Sequence, residues 1–337
     1  MPSASPSILV VRFSSIGDLI LTTPLLRALR GRHPSARISV VVREDMADVL
    51  RHNPRISDLI TWRRGSSLLD LARQLRAQEW THRLDLHGSL RTFLLRQLVG
   101  GEWGSYAKHR GRRRQLIRSG GQRGGFLGAV ADRYFEAAKG LDVVPDGGPA
   151  EVFTSTVEES AAAAFLAAHH LGQSRGLVAV SPGAAHFTKR WPTEYWIALV
   201  KELAERNDVV VLGGPGDRDV AAAMAAAGGD RAASAAGEFS IAGTAALLKR
   251  VRVVAVGDTG VLHLATAVGT PVVGLYGPTV EQFGFFPYHA RAAVLQRDLP
   301  CRPCTAHGGP KCPLGHHHCL REIRPEEVAA AMATPPR

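Results

Sequence analysis

The sequence predicts an α/β protein made of two domains, each with a parallel β-sheet. The chain has 337 residues, more than one ordinary core needs when a domain takes roughly 100 to 200 residues. Short apolar runs alternate with helical segments in both halves, as in strands joined by crossover helices. Apolar residues make up 45% and charged residues 21%, which predicts packed cores and excludes wholesale disorder.

The first half of the chain is predicted to begin with a strand, a glycine-containing turn at 14–18 and a helix. Further short strands follow. The predicted strands are 8–12, 38–42, 59–60 and 84–86, and the helix is 19–30. The Gly- and Arg-rich stretch 100–128 is interpreted as a mobile surface loop. A helix is expected to follow it at 129–141.

The second half repeats this order after the chain break at 146–149 and an Ala-rich helix at 158–171. The predicted strands are 177–181, 209–212, 253–256 and 272–275, and the predicted helices are 193–206, 218–227, 241–250, 261–268 and 324–332. We therefore divide the chain into an N-terminal domain (1–155), a linker helix (156–176), a C-terminal domain (177–320) and a C-terminal helix and tail (321–337). Open parallel sheets bind ligands beyond the carboxyl ends of their strands, so functional residues are sought in those loops.

Charge and apolar patterning limit the class of partner. The formal net charge is +11, and six of the eleven residues from Lys108 to Arg118 are Lys or Arg, with no acid among them. This run either grips an anionic partner or is a solvated face enriched by compositional bias. No apolar run nears the roughly 20 residues that span a bilayer, and the start lacks a secretory signal pattern, so we expect a cytoplasmic protein that is soluble or at most peripheral to a membrane.

The segment Gly257–His263 follows a predicted buried strand and opens a helix. Backbone N–H groups and the positive end of the helix dipole make such a place an anion site. Gly260 permits close backbone approach, Thr259 adds a hydroxyl, and His263 lies one turn into the helix. The alternative is an Asp or Thr helix cap beside a core histidine.

Two further strand-end loops supply partners for that site. In 181–192, the small residues Gly183 and Ala184 form a turn that leads to Lys189, a cation suited to a diphosphate. In 213–217, Asp217 is placed to accept hydrogen bonds from a ribose, although a plain glycine turn explains this loop equally well. The three loops together indicate a nucleotide diphosphate.

Asp18 stands at the end of the first predicted strand, at the opening of its helix. An acid at the first turn of a helix is favourable without any function. The functional interpretation is a general base that takes a proton from an acceptor hydroxyl. The position alone favours the structural role.

These segments resemble, in their order along the chain, the lipopolysaccharide heptosyltransferases of glycosyltransferase family 9. The motifs that carry the resemblance are Arg12–Asp18, Ser181–Ala184, Lys189–Pro192, Gly257–His263 and Gly274–Thr279. The resemblance implies a GT-B fold, with two Rossmann-like domains facing a central cleft. It also implies inverting transfer of heptose from ADP-heptose to the inner core of lipopolysaccharide, without a metal ion or other cofactor. Lys189 and the helix dipole can take the place of a donor-bound divalent ion, which agrees with that expectation.

The resemblance also implies roles for individual residues and partners. Asp18 corresponds to the catalytic base, with Ser15 beside it on the acceptor side. The residues implied to bind the donor are Lys189, Asp258, Thr259, Gly260 and His263, together with Gly183, Ala184 and, less closely matched, Asp217. An anionic lipid-linked glycan is the implied acceptor, gripped by Arg110, Arg112, Arg113 and Arg114, with peripheral contact at the cytoplasmic face of the inner membrane. We expect a monomer. We also expect no binding of nucleic acid, because no nucleic-acid-binding module is visible.

Three other functions remain open at this stage. A family member with another nucleotide-sugar or another glycan acceptor would keep the same motifs. A nonenzymatic nucleotide-binding or nucleic-acid-binding protein would also explain the basic charge and the Arg-rich stretch. An NAD-dependent oxidoreductase is less favoured, because the first strand is followed by Ser-Ser-Ile-Gly-Asp and not by Gly-x-Gly-x-x-Gly.

Four cysteines lie close together near the end of the chain, at positions 301, 304, 312 and 319, with histidines at 316–318. These thiols and imidazoles would suffice for a tetrahedral zinc site, but their spacing departs from the paired C-x2-C pattern. A reducing cytoplasm disfavours disulfides, so a structural metal, a loosely packed loop and redox chemistry all remain open. We expect no catalytic metal and no catalytic role for this loop.

Overall fold

A computed structural model describes residues 5–335 of the chain. The chain forms two compact units. Among the described residues, the first contains 5–108 together with Gly128–Phe153, and the second contains His109–Leu127 together with 154–335. The sequence-based boundaries at 155, 176 and 320 stay predictions, since the chain passes between the units more than once.

Strands and helices alternate through most of both units. The strands are β1 Ser7–Val11, β2 Arg37–Arg43, β3 Asp58–Trp62, β4 His82–Asp85, β5 Gly104–Ser105, β6 Leu177–Ser181, β7 Asp208–Val211, β8 Ala232–Ser234, β9 Val254–Gly257, β10 Val272–Tyr276 and β11 Ala292–Gln296. The helices are α1 Ile16–Ile20, α2 Thr23–Arg32, α3 Leu68–Arg76, α4 Leu90–Val99, α5 Arg110–Arg118, α6 Val130–Arg133, α7 Thr156–Ala168, α8 Thr193–Ala204, α9 Arg218–Ala227, α10 Ile241–Leu248, α11 Gly260–Ala267, α12 His318–Arg321 and α13 Pro325–Ala333.

The first unit contains a five-stranded sheet in the order β3-β2-β1-β4-β5, and every pairing in it is parallel. Val10 of β1 lies between Val40 of β2 and Leu84 of β4. The central strand β1 and the middle of β2 are apolar runs, as expected where helices cover both faces of a parallel sheet. The chain order reverses between β1 and β4, so the loops after these two strands flank the topological switch point, where α/β sheets bind ligands.

The second unit contains a six-stranded sheet in the order β11-β10-β9-β6-β7-β8. Its pairings are also all parallel. One face packs on α8, where Trp196, Leu199 and Leu203 join the core formed with Val178 and Val180 of β6. The chain order reverses between β6 and β9, which places the predicted phosphate loops at this sheet's switch point.

The segment 100–128 is not the loop that the sequence analysis predicted, because it contains β5 and the helix α5. Its apolar anchor is Leu116, which is fully buried and packs with Leu127 and Phe283. A single leucine in an Arg-rich run gives little periodic signal, so the helix becomes visible only with its distant partner Phe283.

Two predicted helices also differ in their bounds. The helix expected at 19–30 is divided into α1 and α2, since Pro24 lies in the first turn of a new helix that begins at Thr23. The helix expected at 129–141 is α-helical only in α6 and then tightens into a 3-10 segment that ends at Ala138. Within residues 5–335, no helix combines the length and apolar character needed to cross a lipid bilayer.

Candidate functional site

In the first unit, Asp18 lies at the third position of α1, directly beyond the end of β1. One oxygen of its carboxylate accepts hydrogen bonds from the backbone N–H of Ser15 (3.3 Å) and from the Ser15 hydroxyl (2.7 Å). This reciprocal contact fixes the start of the helix, as a capping box does. Asp18 therefore has the structural role expected of an acid in the first turn of a helix. Its contacts with Ser15 use one carboxylate oxygen, Oδ2.

The other oxygen of Asp18 pairs with Arg12, which the sequence analysis did not single out as a site residue. Arg12 Nη2 lies 2.7 Å from Asp18 Oδ1, and the two side chains are 6% and 20% exposed. Arg12 also donates to the Leu86 carbonyl in the loop after β4, and its guanidinium lies 5.7 Å from the Tyr134 ring centre. Burial, the largest single influence, would lower the pKa of Arg12, but the Asp18 carboxylate together with Tyr134 and Tyr106 outweighs it, so the pKa is raised. Arg12 therefore remains a cation that holds Asp18 in place.

His87, in the loop after β4, borders the same cluster. Its backbone N–H donates to Asp85 Oδ1 (3.0 Å), and its ring packs edge-on against Phe13, with 5.6 Å between the ring centres. Burial, with help from the cations Arg12 and Lys108, lowers the pKa of His87 to about 4. The imidazole is therefore neutral at pH 7, and within residues 5–335 its buried Nδ1 has no hydrogen-bond partner.

In the second unit, Lys189, Asp258 and Thr279 lie close together. They follow the adjacent strands β6, β9 and β10. Lys189 Nζ lies 2.7 Å from Asp258 Oδ2 and donates to the Asp258 carbonyl (3.1 Å). The Thr279 hydroxyl donates to the same carboxylate oxygen (2.6 Å). The Lys189 and Asp258 side chains are 16% and 8% exposed. Asp258 thus fixes the ammonium at the carboxyl ends of β6, β9 and β10.

The helix α11 begins beside this ion pair. Its N-cap residue is Thr259, which makes no side-chain capping bond, and its first residue is Gly260. In the part of the chain that the structure describes, the buried hydroxyls of Thr259 and Ser181 have no hydrogen-bond partner. A Cβ atom at Gly257 would lie 3.2 Å from the Lys189 carbonyl oxygen, so a glycine suits this close passage. Helix dipole, ammonium and unpaired hydroxyls together suit an anion such as a diphosphate.

The loop after β7 meets the loop after β6 through Gly183 and Asp217. Asp217 Oδ2 accepts the Gly214 N–H (2.8 Å), and a Cβ atom at Gly183 would lie 2.4 Å from that carboxylate oxygen. A residue larger than glycine at 183 would therefore displace Asp217 or its own loop. The Ala184 carbonyl accepts a hydrogen bond from Arg190 Nε (2.8 Å), which orders the turn leading out of Lys189.

The remaining predicted site residues lie elsewhere in the second unit. His263 is only 5% exposed, on the second turn of α11, so little of it faces solvent. Arg112 donates twice to the Gly124 carbonyl, from Nε (3.1 Å) and Nη2 (2.7 Å). Arg113 lies over the Phe283 and Phe285 rings, 5.8 and 5.2 Å from their centres. The basic side chains that stay exposed on α5 include Arg110, Arg112 and Arg114.

The cysteine loop, residues 301–319, forms hydrogen bonds with Thr188, the neighbour of Lys189. The Thr188 N–H donates to the Gly309 carbonyl (3.2 Å), the Gly309 N–H donates to the Thr188 hydroxyl (2.8 Å), and His317 Nε2 lies 3.1 Å from the Thr188 carbonyl oxygen. Arg302 binds the Thr279 carbonyl (2.8 Å) on the other side. The loop therefore connects the two strand-end segments that carry Lys189 and Thr279.

The cysteines themselves are free thiols at 301, 304, 312 and 319. Burial raises the pKa of Cys319 to about 12 and also raises that of Cys304, so neither is an activated thiolate at pH 7. Among residues 5–335, no three His, Cys, Asp or Glu side chains converge in a way that could hold a metal ion. The contacts of this loop indicate a structural role.

The structure brings the predicted residues together in two groups. Ser15 lies with Asp18 in the first unit, and Lys189 lies with Asp258, Thr259 and Gly260 in the second. The predicted acceptor residues belong to different units, Ser15 to the first and the arginines of α5 to the second. The sequence analysis missed Arg12, His87 and Thr279 as site residues. Their signal was their position shortly after a strand, and Arg12 and Thr279 lie inside the motifs Arg12–Asp18 and Gly274–Thr279.

Comparison with known proteins gives consistent matches. The sequence model of "Glycosyltransferase family 9 (heptosyltransferase)" matches residues 68–313. The chain is 28% identical over 326 residues to lipopolysaccharide heptosyltransferase 1 of Pseudomonas aeruginosa, covering 88% of this chain and 85% of that protein. It is 25% identical over 348 residues to lipopolysaccharide heptosyltransferase 2 of Escherichia coli, covering 95% and 96%.

Solved structures agree with the sequence matches. A glycosyl transferase family 9 protein from Veillonella parvula superposes with a TM-score of 0.75 at 25% identity, covering 88% of this chain and 87% of that one. E. coli ADP-heptose LPS heptosyltransferase II superposes with a TM-score of 0.74 at 23% identity, covering 97% of each chain. An E. coli heptosyltransferase with ADP-2-deoxy-2-fluoro heptose gives 0.70 at 19% identity, covering 97% and 99%. The predicted fold class, GT-B with two Rossmann-like parallel-sheet domains, is confirmed.

Proposed function

Because the chain belongs to glycosyltransferase family 9, the heptosyltransferase family, we propose that it transfers heptose from ADP-heptose to the inner core of lipopolysaccharide. We propose further that transfer inverts the anomeric centre and needs no metal ion. The curated relatives are lipopolysaccharide heptosyltransferases, and one solved neighbour carries an ADP-heptose analogue. These names support the donor and acceptor classes.

The observation that carries the proposal is the anion-binding arrangement at the switch point of the second sheet, where Asp258 fixes the Lys189 ammonium. Lys189, the uncapped start of α11 and the unpartnered hydroxyl of Thr259 lie around one place. A departing diphosphate gains negative charge in the transition state, and preorganised donors aimed at that charge lower the barrier. The fixed ammonium and the helix dipole supply the electrostatic role that a divalent cation has in metal-dependent transferases.

The first unit supplies the base for this reaction. Asp18 is the more exposed member of its ion pair and takes the proton of the acceptor hydroxyl as that oxygen attacks the anomeric carbon. The bond from the anomeric carbon to the diphosphate oxygen breaks in the same displacement, and ADP leaves. A single displacement forms the new glycosidic bond on the opposite face and so inverts the configuration. Arg12 keeps the carboxylate oriented throughout.

The acceptor is proposed to be an anionic lipid-linked glycan reached at the cytoplasmic face of the inner membrane by a monomeric enzyme. The exposed side chains of Arg110, Arg112 and Arg114 would contact its phosphates and carboxylates. Changing all three to Glu should raise the acceptor KM and leave the donor KM nearly unchanged. An unchanged acceptor KM would exclude α5 from the acceptor site.

The experiment that tests the proposed function is a panel of ADP-, UDP- and GDP-sugars, ADP-heptose among them. Nucleotide release is measured with and without a heptose-free lipopolysaccharide core acceptor, before and after treatment with EDTA. We expect acceptor-dependent release of ADP from ADP-heptose, unaffected by EDTA, with a product of inverted anomeric configuration by NMR. Release from a different nucleotide-sugar, nucleotide binding without turnover, or a strict Mg²⁺ requirement would each refute the corresponding part of the proposal.

A further inference from the structure

The helix α4 of the first unit presents an apolar face to solvent. Leu90, Phe93 and Leu94 are 76%, 54% and 47% exposed. Residues spaced by three and four positions lie on the same side of a helix, so these three side chains form one continuous stripe. A single exposed leucine is ordinary, but a stripe of large apolar side chains on one helix face is not.

Packing inside the unit does not account for this stripe. The opposite side of α4 carries Thr92 and Leu95, which are 1% and 0% exposed. Leu95, with Leu98 and Val99 beside it, joins the core formed around Trp62 and Leu75. The helix therefore already has its own buried face, and the outer stripe is additional apolar surface.

Cations flank the stripe on both sides. At about 100° per residue, Arg91 and Arg96 fall on opposite edges of the exposed face. Arg91 lies over the Trp62 ring, 5.0 Å from its centre, and Arg96 lies 3.7 Å from the Asp85 carboxylate. No acidic residue occurs between Leu86 and Gly101. An apolar stripe edged by arginine is the pattern of a helix that lies in the interface of an anionic membrane.

The position of α4 connects it to the Asp18 cluster. The helix begins after the loop 86–89, in which the Leu86 carbonyl binds Arg12 and the His87 ring packs against Phe13. Ser89 caps the helix through the Thr92 N–H (3.3 Å). A contact made by α4 therefore fixes where the proposed base lies relative to the surface contacted.

We propose that the outer face of α4 docks on an anionic lipid bilayer, with Leu90, Phe93 and Leu94 inserted among the headgroups and Arg91 and Arg96 beside lipid phosphates. The inference rests on the proposed function in one respect, because a lipid-linked acceptor is what would bring the enzyme to a membrane. Apolar insertion and electrostatic attraction combine in such peripheral binding, and neither needs a spanning helix.

A bilayer explains the stripe better than a protein partner does. A stable protein interface buries about 800 Å² on each side and needs about 20 residues, whereas the exposed stripe contains three large side chains. Peripheral binding to a bilayer requires only a few inserted side chains supported by positive charge. The formal net charge of +11 provides long-range attraction to anionic lipid.

Vesicle co-sedimentation tests the proposal with the full-length protein and no substrates. One vesicle set contains phosphatidylethanolamine and phosphatidylglycerol, and a second contains phosphatidylcholine alone. The wild type should bind the anionic set and bind the neutral set more weakly. The triple variant Leu90→Gln, Phe93→Gln, Leu94→Gln should partition onto anionic vesicles at least about tenfold less.

The matched control is Val157→Gln, which changes another exposed apolar side chain (74% exposed) on the first turn of α7, in the second unit. It should bind vesicles like the wild type. Equal binding by wild type and triple variant, or no binding by the wild type, would overturn the proposal. So would a wild-type dimer, seen by light scattering, that the triple substitution converts to a monomer, because the stripe would then be a protein interface.

Two further measurements separate this inference from the proposed function and from misfolding. Thermal unfolding of the triple variant should match or exceed that of the wild type, since only exposed apolar side chains are changed. Nucleotide release with a short, lipid-free acceptor should be the same in both proteins. If neither protein releases nucleotide but vesicle binding still depends on α4, the proposed function fails while the membrane surface stands.

Discussion

The two sheets of this protein carry ion pairs of opposite polarity at corresponding places. At the switch point of the first sheet, a buried cation, Arg12, holds a more exposed acid, Asp18, with exposed fractions of 6% and 20%. At the switch point of the second sheet, a buried acid, Asp258, holds a more exposed cation, Lys189, with 8% and 16%. In each pair the more exposed group is the one whose chemistry the proposed reaction needs.

This difference shows how one fold supplies two chemical roles. A charge at a strand end costs free energy to desolvate unless a partner compensates it. Placing that partner beside the functional group fixes its position, and the functional group stays the more exposed member of the pair. The reversed polarity then assigns proton acceptance to the first unit and anion binding to the second. If exposure within each pair identifies the reacting group, substituting Asp18 should impair chemistry and substituting Lys189 should also weaken donor binding.

The largest effect is expected for Asp18→Asn. The substitution keeps the shape and one hydrogen-bond acceptor but removes the proton acceptor, so kcat should fall by about 10³-fold while the donor KM stays nearly unchanged. Steady-state kinetics measure both values. The matched control is Asp58→Asn, since Asp58 also pairs with an arginine, Arg37 (2.7 Å), and with the Ser39 hydroxyl (2.7 Å). A similar loss in both variants would remove the assignment of Asp18 as the base.

Lys189→Met should come next, with kcat lower by roughly 10²-fold to 10³-fold and weaker binding of ADP. Methionine keeps the length of the side chain while the charge that faces the departing diphosphate is lost. Calorimetric titration with ADP separates the binding loss from the kinetic one. Lys249→Met is the control, because Lys249 also pairs with an acid, Glu159 (2.9 Å), and contacts a threonine. Equal ADP affinity in all three proteins would show that Lys189 does not bind the diphosphate.

His87 should make the stability of the protein depend on pH. Its pKa is lowered from 6.5 to about 4 in the folded protein, so the unfolded chain binds a proton more readily. The stabilisation is therefore full above about pH 6.5 and is lost as the pH falls toward 4, by up to about 3 kcal/mol. Denaturant unfolding at pH 7, 5.5 and 4.5 should show a smaller acid loss in His87→Gln than in the wild type. A slope unchanged in His87→Gln would contradict a neutral imidazole at this position.

The smallest effect is expected from two threonines that differ in their partners. The Thr259 hydroxyl has no hydrogen-bond partner among residues 5–335, so Thr259→Val should leave stability unchanged and raise the donor KM several-fold. The Thr279 hydroxyl donates to Asp258, so Thr279→Val should cost about 1–3 kcal/mol of stability. Thermal melts with donor kinetics distinguish the two. A stability loss in Thr259→Val as large as in Thr279→Val would mean that its hydroxyl serves the fold.

Individual residues show how far sequence reasoning reached into the site. Lys189, Thr259 and Gly260 were predicted from their places after strands, and the structure puts them together. Asp258 was assigned to the donor, and the structure shows its carboxylate bound to Lys189 and Thr279. A contact between residues 69 positions apart depends on which strands are neighbours, and strand order is not written in any local segment.

The basic helix α5 and the apolar stripe on α4 also depend on tertiary structure. The arginine-rich run at 108–118 was predicted as loop, but Arg110–Arg118 form the helix α5, whose Leu116 packs on Phe283. The stripe on α4 was not predicted, since leucine and phenylalanine at these spacings are ordinarily core residues. Only the exposed fractions of Leu90, Phe93 and Leu94 reveal that α4 has a second, outward apolar face.

By itself, the sequence determined the two-domain α/β class, most of the strands and the strand-end loops in which to search for function. These follow from local apolar periodicity and from the rule that parallel sheets bind ligands at their carboxyl ends. The tertiary structure decided which side chains pair, which polar atoms are left without partners and which apolar residues face solvent. Those properties depend on strand order and helix packing, which bring together residues that are far apart in the chain.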